Sequence, residues 1–222
     1  MSPAPRADRR VPVAVFAKPP VAGQVKTRLA SAIGEGPAAR IAAAFVHDTW
    51  ATVRSLAWAR PILATTTTDA TAFGLGEDVE IWLQGDGDLG DRMERVLLRG
   101  LAEAPSTLLV GADVPGLPAA HLDAARAALA RSDVVIGPSE DGGFYLIGAS
   151  RLPAGALFGL PWSRADSLRR TEDRLAALGI SIARSPGWFD VDEAADLARL
   201  ERLLAEDARP APWTRAALRA AR

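Results

Sequence analysis

The sequence predicts an α/β fold, a mostly parallel sheet sandwiched between two layers of helices. Short apolar runs alternate with longer stretches of helical period from residue 11 to about residue 204, the pattern of successive βαβ units. Many of these runs end in loops rich in Gly, Pro or Asp. Apolar residues make up 49% of the chain, enough for a sizeable core on both faces of a sheet.

Residues 11–17 read as a buried strand that ends in a loop holding Lys18 and Lys26, and a helix opens near Thr27. A helix over 37–56 puts Ile41, Phe45, Val46, Thr49 and Val53 on one stripe. Strands follow at 61–66 and 79–83, the second running into Gln84-Gly-Asp-Gly-Asp-Leu-Gly90, and a helix covers 91–102. A strand at 107–110 stops at Gly111-Ala-Asp-Val-Pro115, because proline cannot continue the ladder. A helix at 118–130 and a strand at 134–136 precede Glu140-Asp-Gly-Gly143. A strand at 144–148, a helix at 164–178, a strand at 180–183 and a helix at 192–204 complete the pattern. Residues 11–204 are expected to form one domain, with an unstructured tail over 1–10. The segment 205–222, with Pro210, Pro212 and Trp213, is expected to fray or to form a short helix.

The balance of 26 basic and 27 acidic residues leaves a net charge of −1, so no global field recruits nucleic acid or a membrane surface. The absence of cysteine excludes disulfides, thiolate metal sites and a cysteine nucleophile. No apolar run reaches ~18 residues, which argues against a spanning helix, and no signal-peptide pattern follows the polar start. A cytoplasmic protein is expected.

The only two lysines of the chain, Lys18 and Lys26, share one short loop. Elsewhere the chain uses arginine, a planar fork that does not replace the compact ammonium of lysine. The loop leaves a strand and enters a helix, where free N–H groups favour an anion. Lys18, Lys26 and Arg28, with Gly23 and Thr27, make it a candidate site for nucleotide phosphates. A Walker A loop is excluded, since its glycine positions hold Pro20 and Val25. As loop residues, the lysines are expected to contribute little to packing.

Asp113 closes the fourth strand, and Asp190 and Asp192 flank Val191 before the last long helix. Such a set can hold a hard cation, Mg2+ or Mn2+. Asp192 also suits the N-cap of that helix, which ranks Asp190 above it as a ligand. The loop from Gly85 through Gly87 to Arg92 permits close backbone approach to a base or sugar, or is a turn in which Asp88 or Asp91 caps the next helix. Asp141, Gly142 and Gly143 are candidates for contact with a second substrate. His47 and His121 lack suitably spaced partners and read as core or surface residues. Trp50, Trp58 and Trp82 read as core.

Five motifs in this order carry a family resemblance. They are Phe16-Ala-Lys-Pro-Pro-Val-Ala-Gly-Gln-Val-Lys-Thr-Arg-Leu29, Gln84-Gly-Asp-Gly-Asp-Leu-Gly-Asp-Arg-Met93, Gly111-Ala-Asp-Val-Pro115, Gly137-Pro-Ser-Glu-Asp-Gly-Gly-Phe-Tyr-Leu-Ile-Gly148 and Phe189-Asp-Val-Asp-Glu-Ala-Ala-Asp-Leu197. Together they resemble the DUF2064 proteins, also called radical-SAM/selenodomain-associated transferase 1. That family is similar to the GT-A nucleotide-diphospho-sugar transferases, and it looks related to 2-phospho-L-lactate guanylyltransferase. The resemblance implies a GT-A-like, Rossmann-like three-layer sandwich. It implies phosphates at Lys18, Lys26 and Arg28, metal at Asp113 with Asp190 or Asp192, and base, sugar or acceptor at 85–92 and 141–143. The Asp-x-Asp usual in glycosyltransferases is reduced here to Gly111-Ala-Asp113. A Mg2+-dependent transferase is therefore expected, taking a group from an NDP-sugar to a small acceptor, with Lys26 and Arg28 stabilising the leaving phosphate and Asp141 as the base. A nucleotidyltransferase that releases pyrophosphate and a nucleotide-sensing module without turnover stand as alternatives.

Overall fold

The computed structural model describes residues 10–76, 78–206 and 211–220. The chain runs β1 (Val11–Phe16), α1 (Thr27–Ile33), α2 (Glu35–Arg54), β2 (Ala59–Thr65), β3 (Ile81–Leu83), α3 (Leu89–Glu103), β4 (Thr107–Gly111) and α4 (Ala119–Ala128). It continues through β5 (Val134–Pro138), β6 (Phe144–Ala149), α5 (Ser167–Ala177), β7 (Ile182–Arg184), α6 (Ala194–Glu206) and α7 (Pro212–Ala220). All but the last residue of the tail expected over 1–10 lie outside the described residues.

The seven strands form one sheet in the order β3-β2-β1-β4-β6-β5-β7. β6 is antiparallel to β4 and β5, and every other pair is parallel. The short link between β5 and β6 dictates that exception, because a parallel return needs a crossover of a dozen or more residues.

Alternation along each strand builds a layer on each face. Val13 and Val15 join Val46, Trp50 and Val53 of α2 and Leu122 and Ala125 of α4 on one face. Ala14 joins Ile62, Trp82, Met93, Val96, Leu97 and Leu175 on the other. Each large apolar side chain buried in these layers stabilises the fold by ~1.5–3 kcal/mol. The mostly parallel sheet is the one the alternating pattern predicts, and the layers make the three-layer, Rossmann-like sandwich that the family resemblance implies. A third cluster lies beside it, where Leu29, Ile41 and Phe45 pack with Phe189, Val191, Leu200, Leu204 and Leu218.

Of the segment 205–222, Pro212–Ala220 forms α7. Asp48, buried in α2, accepts hydrogen bonds from the N–H groups of Thr214 (2.8 Å) and Trp213 (3.3 Å), so it caps α7 from another helix. His47 stacks on Trp213 with ring centroids 5.5 Å apart.

The sheet fixes where a ligand can sit. From β1 the chain builds outward through β2 and β3, then crosses back to place β4 on the other side of β1. Ligands of open α/β sheets bind beyond the strand carboxyl ends at such a switch point. The lysine loop leaves β1 there, and Asp113 follows β4.

Candidate functional site

Local structure holds the lysine loop in place. The side-chain amide of Gln84, buried beyond the end of β3, donates to the carbonyls of Ala17 (3.2 Å) and Ala64 (2.9 Å), pinning the ends of β1 and β2. Lys26 adopts a left-handed conformation (φ 48, ψ 44) immediately before α1. Left-handed geometry turns the chain sharply into the helix. α1 has seven residues, too few for a substantial macrodipole, so positive charge here comes from side chains.

Lys26 is the centre of the site. Its Nζ lies 2.7 Å from Asp192 Oδ1 and 3.0 Å from Asp113 Oδ2, and its side chain is 5% exposed. Burial pulls its pKa down, but the charges of Asp113 and Asp192 and their hydrogen bonds outweigh burial and hold the ammonium above the usual lysine value. The expectation that the lysines pack little is therefore corrected at this position. Lys18 and Arg28 are exposed, with Arg28 3.3 Å from Glu193.

The carboxylates are assembled by two long-range backbone contacts. The N–H of Val191 donates to the carbonyl of Asp113 (3.2 Å), and that of Trp188 to the carbonyl of Pro138 (3.1 Å). These bonds draw the segment around Asp190 and Asp192 against the loops after β4 and β5. The Asp192 side chain is engaged away from the start of α6. Asp196, in the first turn of the helix, accepts through Oδ2 from the N–H groups of Asp192 (3.0 Å) and Glu193 (2.8 Å) just ahead of it. The Asp192 carboxylate meets Lys26. Asp190 instead accepts from Ser139 Oγ at 2.8 Å. Burial raises its pKa, the Ser139 hydrogen bond opposes that shift, and the nearby charge of Asp141 adds to it.

Two cavities adjoin at Asp113 and Leu89, which line both. The first, about 400 Å³, is bordered by Lys18, Gln24, Lys26, Thr27, Arg28 and Asp192. The second, about 220 Å³, is bordered by Ser139, Asp141, Tyr145, Trp162, Arg164 and Asp190, among others. Gly143 also lines it, and its N–H donates to Asp141 Oδ1 at 2.8 Å. Gly142 supports this turn from behind. Its φ is +85°, and a Cβ there would lie 1.9 Å from the carbonyl oxygen of Ala165.

Gly23, Gly85, Gly87, Arg92 and Gly142 line neither cavity. Arg92 Nε donates to the Gly87 carbonyl at 3.0 Å, and Arg95 bonds the Gln84 and Asp86 carbonyls, so the glycine loop is stapled to α3. Asp88 and Asp91 form a reciprocal capping box at the start of α3. Ser139 and Tyr145 are not singled out as site residues by the sequence, whereas Trp162, in a loop, is less easily read as core than Trp50, Trp58 and Trp82. Ser139 lies inside one of the five motifs, but nothing local shows that its hydroxyl reaches Asp190 across the sheet edge.

Among the described residues no three histidine, aspartate or glutamate side chains form a metal-holding group. Asp113 and Asp192 do converge on one positive charge, the Lys26 ammonium. Two carboxylates suffice for Mg2+, which draws its remaining oxygens from water and substrate phosphate. The donor set therefore fits Mg2+ or Mn2+.

Solved structures share this architecture. A Desulfovibrio desulfuricans protein, provisionally described as a nucleotide-diphospho-sugar transferase, matches with a TM-score of 0.85 and 30% identity, covering 94% of this chain and 93% of that one. CMP:2-keto-3-deoxy-manno-octonic acid synthetase, solved with CTP, matches with a TM-score of 0.55 and 17% identity over 89% of this chain and 99% of that one. The 4-diphosphocytidyl-2C-methyl-D-erythritol synthase of Anaerococcus prevotii gives 0.56 and 11% over 89% and 99%. At those last two identities the likeness is one of fold alone. The fold is thus one shared by nucleotidyl and nucleotide-sugar transferases. Within it the chain belongs to the DUF2064 family, uncharacterized proteins conserved in bacteria, whose family model matches residues 47–164. The lysine loop and Asp190-Val-Asp192 lie outside that match. No curated protein matches the chain in sequence. Among the described residues no helix is long and apolar enough to cross a membrane.

Proposed function

We propose that the chain is a divalent-cation-dependent transferase that moves a group from a nucleotide-activated donor, an NDP-sugar, to a small acceptor. One observation carries this reading: Lys26, Asp113 and Asp192 converge at the switch point of the sheet, and Asp113 also borders a second cavity. In this reading the first cavity takes the donor, and Lys18, Lys26 and Arg28 neutralise its phosphates as charge builds on the leaving group. Asp113 and Asp192 would hold Mg2+ or Mn2+, which supplies Lewis-acid neutralisation of phosphate oxygens when bound. The smaller cavity takes the acceptor. Asp141, held by the Gly143 N–H, would accept the proton of an acceptor hydroxyl. In this reading the functional unit includes α7, which packs on α2 and α6 through Leu218 and Asp48, and a nucleotide donor suits a cytoplasmic setting.

One feature favours a second reading, nucleotidyl transfer from an NTP. Three cationic side chains border the first cavity, more than a diphosphate requires. Incubation with NTPs and NDP-sugars plus Mg2+, followed by phosphorus NMR and thermal shift, separates the readings. Release of a nucleoside diphosphate supports glycosyl transfer, and release of pyrophosphate supports nucleotidyl transfer. Stabilisation without release leaves a sensor module. No stabilisation by any nucleotide sinks the proposal.

A further inference from the structure

We propose that Lys26 is the resident counter-ion of the cation site, so that its ammonium and a divalent cation compete for Asp113 and Asp192. This rests on the metal-dependent reading above and adds an order of events. A cation alone displaces Lys26 at a cost, whereas a cation arriving with donor phosphates gives the displaced ammonium a new anionic partner.

The geometry requires competition. The Lys26 Nζ sits within 3.0 Å of both carboxylates, at the point where their charges converge. A divalent cation held by the same oxygens would lie against the ammonium, and like charges at that separation repel strongly in a part-buried site. The chain also commits its backbone to this placement. Lys26 and Ser163 are the two non-glycine residues with positive φ among the described residues, a region that L-residues enter only at some energetic cost. The side-chain type fits as well. A compact point charge can share one position with a metal ion, whereas a guanidinium fork spans two. That accounts for a lysine here in a chain that otherwise uses arginine nearly throughout. Lys18 and Arg28, being exposed, remain available to meet phosphate first.

Mn2+ binding followed by electron paramagnetic resonance tests the proposal on the full chain. Wild type should bind Mn2+ alone weakly, and Lys26→Met should bind it at least about tenfold more tightly. Equal affinities would overturn the competition and leave the cation site standing. Absence of Mn2+ binding in both folded proteins would overturn the competition and the metal-dependent reading together.

A measurement on wild type alone covers the case in which Lys26→Met does not fold. With two lysines in the chain, acylation followed by mass spectrometry reads each one, and exposed Lys18 serves as the internal reference. Mn2+ should raise the labelling of Lys26 relative to Lys18, and inorganic pyrophosphate added with Mn2+ should lower it again. A ratio indifferent to saturating Mn2+ would overturn the proposal.

Discussion

The ammonium of Lys26 lies 2.7 Å from Asp192 Oδ1, although the two stand 166 positions apart in sequence. This contact joins the first loop of the sheet to the segment before α6, beside Asp113. The expected consequence is that Asp192 outranks Asp190 in metal binding. Asp113→Asn and Asp192→Asn should each remove most of the Mg2+-dependent part of a nucleotide thermal shift while leaving a folded protein. Asp190→Asn should reduce it less. Equal loss in all three variants would show that the site is wider than Asp113 and Asp192.

Asp196 holds the start of α6, so its loss should be structural. Asp196→Ala removes an acceptor for two backbone N–H groups and should lower stability by ~1 kcal/mol, measured by urea denaturation. A smaller loss of metal affinity should accompany it, because Asp192 is then less firmly placed.

Lys26→Ala should act on both binding and stability. If Lys26 meets a donor phosphate once a cation is in place, its loss removes a charge-assisted hydrogen bond of ~1.5–3 kcal/mol. That corresponds to a roughly 10- to 100-fold weaker nucleotide interaction at saturating divalent cation, where the competition between Lys26 and the cation no longer counts. Without ligand the variant should lose about 1–2 kcal/mol, less than for a fully buried pair because Asp113 and Asp192 are half-exposed. Lys26→Arg should rescue binding only in part. Titration calorimetry and denaturant melts read the two effects separately.

How much of this was legible depends on whether the cause is local. Alternating apolar runs announced the sheet and its two helix layers, and the scarcity of lysine pointed to residues 18–28. The antiparallel β6 was readable from the short spacing after β5, but the general pattern of alternation concealed it. Asp192 reads as the cap of α6 because it stands just ahead of the helix. Only the tertiary bond to Lys26 shows where its carboxylate goes. Ser139, Tyr145 and Trp162 reach the second cavity through strand pairing and loop return, which no local spacing encodes.

Gly142→Ala should damage the second cavity without touching the first. The added methyl would need a left-handed alanine and would press on the Ala165 carbonyl, destabilising the protein by about 2–3 kcal/mol. Gly155→Ala is the control. Its φ is +82°, but a Cβ there meets nothing within 4 Å, so only the backbone cost of ~1–2 kcal/mol remains. Similar melting temperatures for the two variants would show that the turn before β6 yields easily.

Asp48 gives the stability of the chain a pH dependence. Burial raises its pKa in the folded state, only partly offset by hydrogen bonds from Thr214 and Trp213. A carboxyl with a raised folded pKa binds its proton more tightly folded than unfolded. Its contribution is therefore greatest below the ordinary aspartate value and is lost as pH rises through the folded value. Asp48→Asn keeps an oxygen acceptor for the start of α7 and cannot ionise. Melting temperatures of wild type and Asp48→Asn, compared from pH 3 to pH 7, should therefore diverge, with wild type losing ground to the variant as pH rises. Asp48→Ala removes the cap altogether and should cost about 1–2 kcal/mol, with early release of α7 visible as faster amide exchange at Trp213 and Thr214. A constant gap between wild type and Asp48→Asn across that range would mean that Asp48 titrates alike in the folded and unfolded chain, and that burial against α7 does not govern its proton.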